Sequence, residues 1–203
     1  MRKIFWAMIL GLGLMGCRST DTVKLQNGDI IFQTSTSFQS QAIQAATHSR
    51  YSHMGLLYKN GEQFYVLEAV QPVKLTPLGD WIQRGKDQHY VVKRLKNSKE
   101  VLTAKNLEKM KSEGSKYLGK SYDLYFEWSD DRIYCSELVW KIYKNVFNIE
   151  IGKLQRLAEF DLSNPVVKAK LEERYGKNIP KDEWVISPGQ MFKSNRLETV
   201  REK

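Results

Sequence analysis

The residues with the clearest chemical potential in this chain are Cys135, His53 and Glu68. The chain has two cysteines, and Cys17 stands at the end of an apparent export signal, so Cys135 is expected to be the free thiol of the mature protein. A thiol, an imidazole that deprotonates it and a carboxylate that orients the imidazole are the groups of cysteine hydrolases and acyltransferases. The alternative is an inert cysteine that only fills core space.

Residues 135–147 predict an amphipathic helix that begins at the cysteine. Apolar residues follow Cys135 three, four, seven and eleven positions later, which places the thiol on the inward face of the helix. The first turn offers free backbone N–H groups and the positive end of the helix dipole, and both favour a thiolate. The same N–H groups can hold the oxyanion of a tetrahedral intermediate.

A β-hairpin is expected to bring the imidazole and the carboxylate together. Asn60-Gly61 separates two β-rich runs, 52–58 and 63–70, and this dipeptide is typical of a two-residue type I′ turn. That turn would set His53 directly opposite Glu68, with their Cβ atoms ~5 Å apart. A bulge or a one-residue slip would send the carboxylate to the other face. A surface pair without a role is the alternative.

The remaining pattern predicts an α+β fold, because β-rich runs come early, helices surround them and a short strand returns late. The predicted strands are 28–33, 52–58, 63–70, 90–95 and 184–186, and the predicted helices are 37–47, 105–118 and 135–147, with a charged helix within 158–175.

Composition narrows the class of protein. About 180 residues follow the export signal, enough for one domain with its own core, and we assign residues 25–203 to it. The net charge of +9 comes from scattered basic residues without a nucleic-acid motif, so we expect attraction to anionic lipid and cell wall, or simply a solvated surface, and no nucleic-acid partner.

The other two histidines do not indicate a metal site. His48 is expected in a loop or at a helix C-terminus, and His89 in an exposed turn. Three histidines and one thiol show no paired ligand spacing, so neither a metal nor a cofactor is predicted.

The first sixteen residues are typical of a secretion signal. Arg2 and Lys3 precede an apolar run, 4–15, that is short for a membrane span. The run ends in Leu-Met-Gly-Cys, which resembles a bacterial lipobox, with cleavage before Cys17 and acylation of its sulfur. Residues 17–24 would then be the lipidated cysteine and its tether, which gives durable membrane attachment. The alternative is an uncleaved anchor with an incidental cysteine.

Resemblance to lipoprotein sorting, with Arg18 after the lipidated position, implies the outer membrane if the host has one.

Three long stretches of the chain carry a family resemblance. They are NGDIIFQTSTSFQSQAIQAATHSRYSHMGLLY, VLEAVQPVKLTPLGDWI and YLGKSYDLYFEWSDDRIYCSELVWKIY. They resemble the YiiX-like branch of the NlpC-type, papain-like superfamily, in which circular permutation places the histidine before the cysteine.

The resemblance implies a papain-like α+β domain with an antiparallel, barrel-like sheet against the cysteine helix. It implies that Cys135 is the nucleophile, His53 the general base and acid, and Glu68 the residue that orients the imidazole. It also implies that Tyr122 lines the site and helps to bind the oxyanion.

These observations predict an exported, lipid-anchored cysteine hydrolase that acts through a thioester. The first hypothesis for its substrate is the peptide of the cell wall, cleaved by an amidase or endopeptidase. The alternatives are a lipid-directed acyltransferase or thioesterase, and a non-catalytic lipoprotein that binds cell-wall fragments.

Overall fold

The computed structural model describes residues 23–203, so the predicted signal peptide and Cys17 lie outside the described residues. Within that range, no helix has both the length and the apolar character needed to cross a bilayer. The strands are β1 Ile30–Ser35, β2 His53–Asn60, β3 Gln63–Glu68, β4 Lys74–Pro77, β5 Gly85–Leu95, β6 Ser121–Tyr122, β7 Arg132–Ile133, β8 Gln155–Arg156, β9 Trp184–Val185 and β10 Leu197–Glu202. The α-helices are α1 Phe38–Thr47, α2 Leu78–Gln83, α3 Ser98–Val101, α4 Ala104–Ser115, α5 Cys135–Phe147, α6 Pro165–Tyr175 and α7 Pro188–Phe192.

Six strands form one antiparallel sheet in the order β10-β5-β1-β2-β3-β4, which confirms the α+β prediction. Side chains alternate between its two faces. One face carries Ile30, Met54 and Leu56 and belongs to the large core that includes α5. The other face carries Leu57 and Val66 and belongs to a smaller cluster around Trp81 of α2. The sheet therefore lies between the cysteine helix and the short helix α2.

Helix α5 begins and ends where the sequence predicts. Leu138, Val139 and Ile142 are fully buried, which confirms the inward face expected from their spacing. The helix ends at Phe147, and its cap, Asn148, adopts the left-handed conformation common at helix C-termini.

The hairpin of β2 and β3 is confirmed, but its predicted register is wrong by two residues. Asn60 pairs with Gln63 and Leu56 with Leu67, so the two-residue loop is Gly61-Glu62 and not Asn60-Gly61. Gly61 has a φ of +58° whereas the φ of Asn60 is negative, so only the glycine takes the left-handed conformation that a type I′ turn requires of both central residues. A shift of two residues preserves the face of every side chain, because the side-chain period of a strand is two.

Two further expectations need correction, one about the strand that completes the sheet and one about the position of His89. The predicted closing strand at 184–186 pairs with β8 in a separate two-stranded sheet. The strand that completes the main sheet is β10, which the sequence pattern did not indicate and which pairs with β5. His89 lies within β5 with its side chain 19% exposed, and is not in an exposed turn.

Gly55 of β2 is required by a close approach of β3. A Cβ at this position would lie 2.7 Å from the carbonyl oxygen of Leu67 and closer still to Val66. We expect Gly55→Ala to lower the free energy of unfolding by about 1–3 kcal/mol, the usual cost of overpacking, in urea denaturation. Gly79→Ala is the matched control, since no atom lies within 4 Å of its Cβ and alanine favours helix α2. Equal effects of the two substitutions would contradict the prediction.

Candidate active site

Cys135 is the first residue of α5 and is 3% exposed. Two contacts with the C-terminal part of the chain fix this helix end. The hydroxyl of Ser136 donates a 2.8 Å hydrogen bond to the carbonyl of Ile186, and the N–H of Ile186 donates a 3.1 Å hydrogen bond to the hydroxyl of Tyr134. The carboxylate of Glu137 accepts from the N–H of Tyr134 at 3.3 Å, as in a capping box. The thiol is therefore held at a rigid helix start.

His53 and Glu68 meet despite the corrected register. Nε2 of His53 lies 2.6 Å from Oε2 of Glu68, and the carboxylate is completely buried. Glu68 lies beside Gly55, where an added Cβ would be 3.5 Å from the Cβ of Glu68. The carboxylate thus crosses the glycine and reaches the imidazole diagonally, a contact within reach of long side chains on neighbouring strands.

The imidazole connects the carboxylate to the thiol. Burial alone would lower the pKa of His53, but hydrogen bonds to Cys135 and Glu68 and their negative charges outweigh burial and raise the pKa to about 9. Trp81 stacks on the ring, with centroids 5.9 Å apart and planes 25° apart. His53 is therefore held as an imidazolium beside the ionised Glu68, the state in which it can protonate a leaving group.

Glu68 has two further partners that sequence reasoning missed. The hydroxyl of Thr76 donates a 2.6 Å hydrogen bond to Oε1, and the guanidinium of Arg84 donates to the same oxygen. Burial would raise the pKa of Glu68, but His53, Thr76 and Arg84 together lower it to about 2. The only local signal for Thr76 is the run KLTP, which forms β4 beside β3, and no local signal marks Arg84.

Tyr122 is near the nucleophile because β6 pairs in parallel with β7, the strand that leads into the cysteine helix. The side-chain amide of Gln39 donates a 2.9 Å hydrogen bond to its hydroxyl oxygen. Burial, followed by the charge of Cys135, raises the pKa of Tyr122. The hydroxyl therefore stays protonated and can donate to an oxyanion.

Two spaces of different chemistry adjoin the site. Cys135 lines an apolar cavity of about 80 Å³. His53 lines a separate open cleft of about 720 Å³ whose walls are mostly hydroxyl and amide side chains. Tyr122, Gln39 and Ile43 line both spaces and therefore mark their junction. The cavity wall includes Ile43, Phe126, Leu157, Phe160, Val167 and Ile186.

The structure brings together Cys135, His53, Glu68 and Tyr122, while their catalytic roles stay predictions. His48 is the left-handed C-cap of α1, as expected, and lies 3.4 Å from Asp161 away from the thiol cluster. Asp130 binds Lys141 at 2.8 Å.

Comparison with known proteins identifies the family. Residues 24–201 match the family described as permuted papain-like amidase enzyme, YaeF/YiiX, C92. The uncharacterized protein YiiX of Escherichia coli strain K12 is 53% identical over 175 residues, which are 86% of this chain and 85% of YiiX. This chain belongs to the permuted papain-like amidase family, which confirms the resemblance and the papain-like fold.

A solved relative shares the fold throughout. The crystal structure titled metalloprotein yiiX, from Escherichia coli O157:H7, has a TM-score of 0.84 and 53% identity, and the match covers 88% of this chain and 97% of that one. In residues 23–203 of the present chain, no three His, Cys, Asp or Glu residues converge as metal ligands. The side chains in that range therefore do not fit a metal centre.

We expect His53 to titrate near pH 9, and Glu68→Gln to lower that pKa because the substitution removes the negative charge beside Nε2. NMR titration of the imidazole signals measures this value. Glu62→Gln changes a fully exposed carboxylate of the same hairpin and should leave the titration of His53 unchanged. Titration of wild-type His53 near its ordinary value of 6.5 would contradict the assignment.

The same pair makes stability depend on pH. The pKa of His53 is raised, so its contribution is complete below pH 6.5 and is lost as the pH rises through about 9. The pKa of Glu68 is lowered, so its contribution is complete above pH 4.5 and is lost as the pH falls toward about 2. We expect Glu68→Gln to cost most stability between pH 4.5 and 6.5, measured by urea denaturation across that range. An equal cost at every pH would contradict this.

Proposed function

We propose that this member of the permuted papain-like amidase family is an exported, lipid-anchored cysteine amidase that cleaves peptide amides of the cell wall through a thioester. The observation that carries the proposal is the 2.6 Å contact of His53 with the buried, ionised Glu68, together with the raised pKa of His53, to which Cys135 contributes. A buried carboxylate and a buried imidazole are costly in a fold unless they are paired, and here both are aligned with the one thiol of the described residues.

Acylation begins with attack of the Cys135 thiolate on the amide carbonyl carbon. The N–H groups at the start of α5 and the hydroxyl of Tyr122 hold the resulting oxyanion. His53, as the imidazolium, gives its proton to the amine as the C–N bond breaks, and a thioester remains on the sulfur. Glu68 keeps the ring oriented and its charge balanced during this step.

Deacylation reverses these roles. His53, now neutral, takes a proton from water, and the hydroxide attacks the thioester carbonyl. Collapse of this second intermediate releases the carboxylic acid and restores Cys135. The polar cleft that contains His53 suits a peptide, since hydroxyl and amide side chains can pair with its backbone groups.

A second candidate, lipid-directed thioester hydrolysis or acyl transfer, is favoured by the apolar cavity beside the thiol. The cavity volume of about 80 Å³ is about half that of an engineered apolar cavity that takes up benzene, so it has room for a short stretch of an acyl chain. Both candidates use the same nucleophile and differ in the acyl group that it receives.

Cys135→Ser should abolish both activities, with a rate loss of at least about a thousandfold, because the thiolate is the attacking group. Purified cell-wall sacculi and phospholipid vesicles are incubated separately with the full-length protein, and released amines and fatty acids are measured. Amine release supports the first candidate and fatty-acid release the second. Equal release by wild type and Cys135→Ser, or no labelling of wild type by a thiol-directed acyl probe, would contradict an enzymatic role.

The membrane anchor is tested independently through Cys17. We expect Cys17→Ala to prevent incorporation of a palmitate analogue in cells and to move the protein out of the membrane fraction, since the acylated sulfur is removed. Cys135→Ser is the matched control and should keep both the label and the membrane location. Unchanged labelling of Cys17→Ala would show that the sulfur of Cys17 is not the anchor.

A further inference from the structure

Arg84 occupies an unusual position between a buried charge and an open cleft. It follows α2 as the C-cap, and one of its terminal nitrogens donates to Oε1 of Glu68. Glu68 is completely buried, whereas the side chain of Arg84 is 44% exposed. A guanidinium has five N–H donors in a planar fork. The donors that do not face Glu68 therefore remain available on the open side.

That open side is the polar cleft that His53 also lines. Among residues 23–203, Arg84 is the only lysine or arginine in the wall of the cleft, and none of them contributes an aspartate or glutamate to it. The remaining wall is mostly serine, threonine and glutamine side chains. An anionic group that enters the cleft would thus meet the guanidinium of Arg84 and the imidazolium of His53, with no competing carboxylate.

Gln33 gives a second and independent indication of a ligand in this cleft. It is 2% exposed, yet its side-chain oxygen has no hydrogen-bond partner within residues 23–203. The oxygen lies against Gly85, where a Cβ would collide with it, so Gln33 stands directly beside the backbone that follows Arg84. Gln33 is also the cross-strand partner of His53. A buried acceptor without a partner is costly, and a substrate N–H would satisfy it once the side chain turns from Gly85 toward the cleft.

The reaction geometry assigns this cleft to one half of the substrate. His53 gives its proton to the departing amine, so the amine must lie on the side of His53. The acyl group stays on the sulfur of Cys135, which lines the other space. Arg84 and Gln33 consequently face the amine half.

We propose that Arg84 is a specificity residue that binds a carboxylate on the amine half of the substrate, and that Gln33 accepts an N–H of the same half. The substrates are then amides whose released amine is an amino acid, or a short peptide with its carboxylate close to the cleaved bond. This inference rests on the proposed amidase activity and names the class of its leaving group. Arg84 is suited to the role because its planar fork matches a carboxylate.

Two substrates that differ only in this charge test the proposal. N-hexanoylglycine carries the carboxylate and N-hexanoylglycinamide replaces it with a neutral amide, and released hexanoate is measured with the full-length protein. We expect wild type to prefer hexanoylglycine in kcat/KM by roughly tenfold to hundredfold, the range for a hydrogen bond to a charged group, mainly through KM.

Substitutions of Arg84 and Thr76 distinguish recognition of the substrate carboxylate by Arg84 from the hydrogen bond that Arg84 donates to Glu68. Arg84→Met should reduce turnover of both substrates and remove the preference, whereas Arg84→Lys should restore part of it. Thr76→Val removes the other side-chain donor to Oε1 of Glu68 without changing the charge of the cleft. It should slow both substrates equally and keep the preference.

Each result bears on one of the two proposals. Three outcomes would overturn the role of Arg84: equal turnover of both substrates by wild type, a preference that survives in Arg84→Met, or no turnover of either substrate. In each of these cases, amine release from sacculi would still support the amidase. Hydrolysis that persists in Cys135→Ser would instead overturn the amidase itself.

Discussion

The arrangement depends on keeping one carboxylate ionised inside the protein. An isolated charge at the position of Glu68 would be strongly unfavourable, because burial removes its hydration. Donors from three different elements replace that hydration: His53 on β2, Thr76 on β4 and Arg84 after α2. The edge of the sheet, the short helix and the hairpin are therefore coupled through a single side chain. Glu68 orients the imidazole, and together with Cys135 it raises the pKa of His53.

The sequence was sufficient for the parts of the site that local rules govern. Helix α5 was predicted with its bounds, because periodic apolar residues specify both its extent and its inward face. The register of the hairpin was predicted incorrectly, since only Gly61 takes a positive φ. His53 and Glu68 still share a face because the register error is two residues. An error of one residue would have placed them on opposite faces of the sheet.

The partners of Glu68 could not be predicted in the same way. Thr76 and Arg84 reach the carboxylate across the sheet, and neither position has a periodic or turn signal that points to it. Strand β10 was missed because its sequence, LETVRE, is half charged and lies at an edge, where one strand partner suffices. Long-range contacts of this kind follow from the assembled fold and not from any local window.

Cys135 lines the apolar cavity where it adjoins the polar cleft. This placement bears on the order of steps in the proposed catalytic cycle. In the proposed mechanism, departure of the amine empties the cleft lined by His53, while the acyl group stays on Cys135 beside the apolar cavity. The molecule that attacks the thioester would then reach it through the cleft that the amine has left. We expect the residues that line this cleft to determine whether water or another alcohol or amine accepts the acyl group.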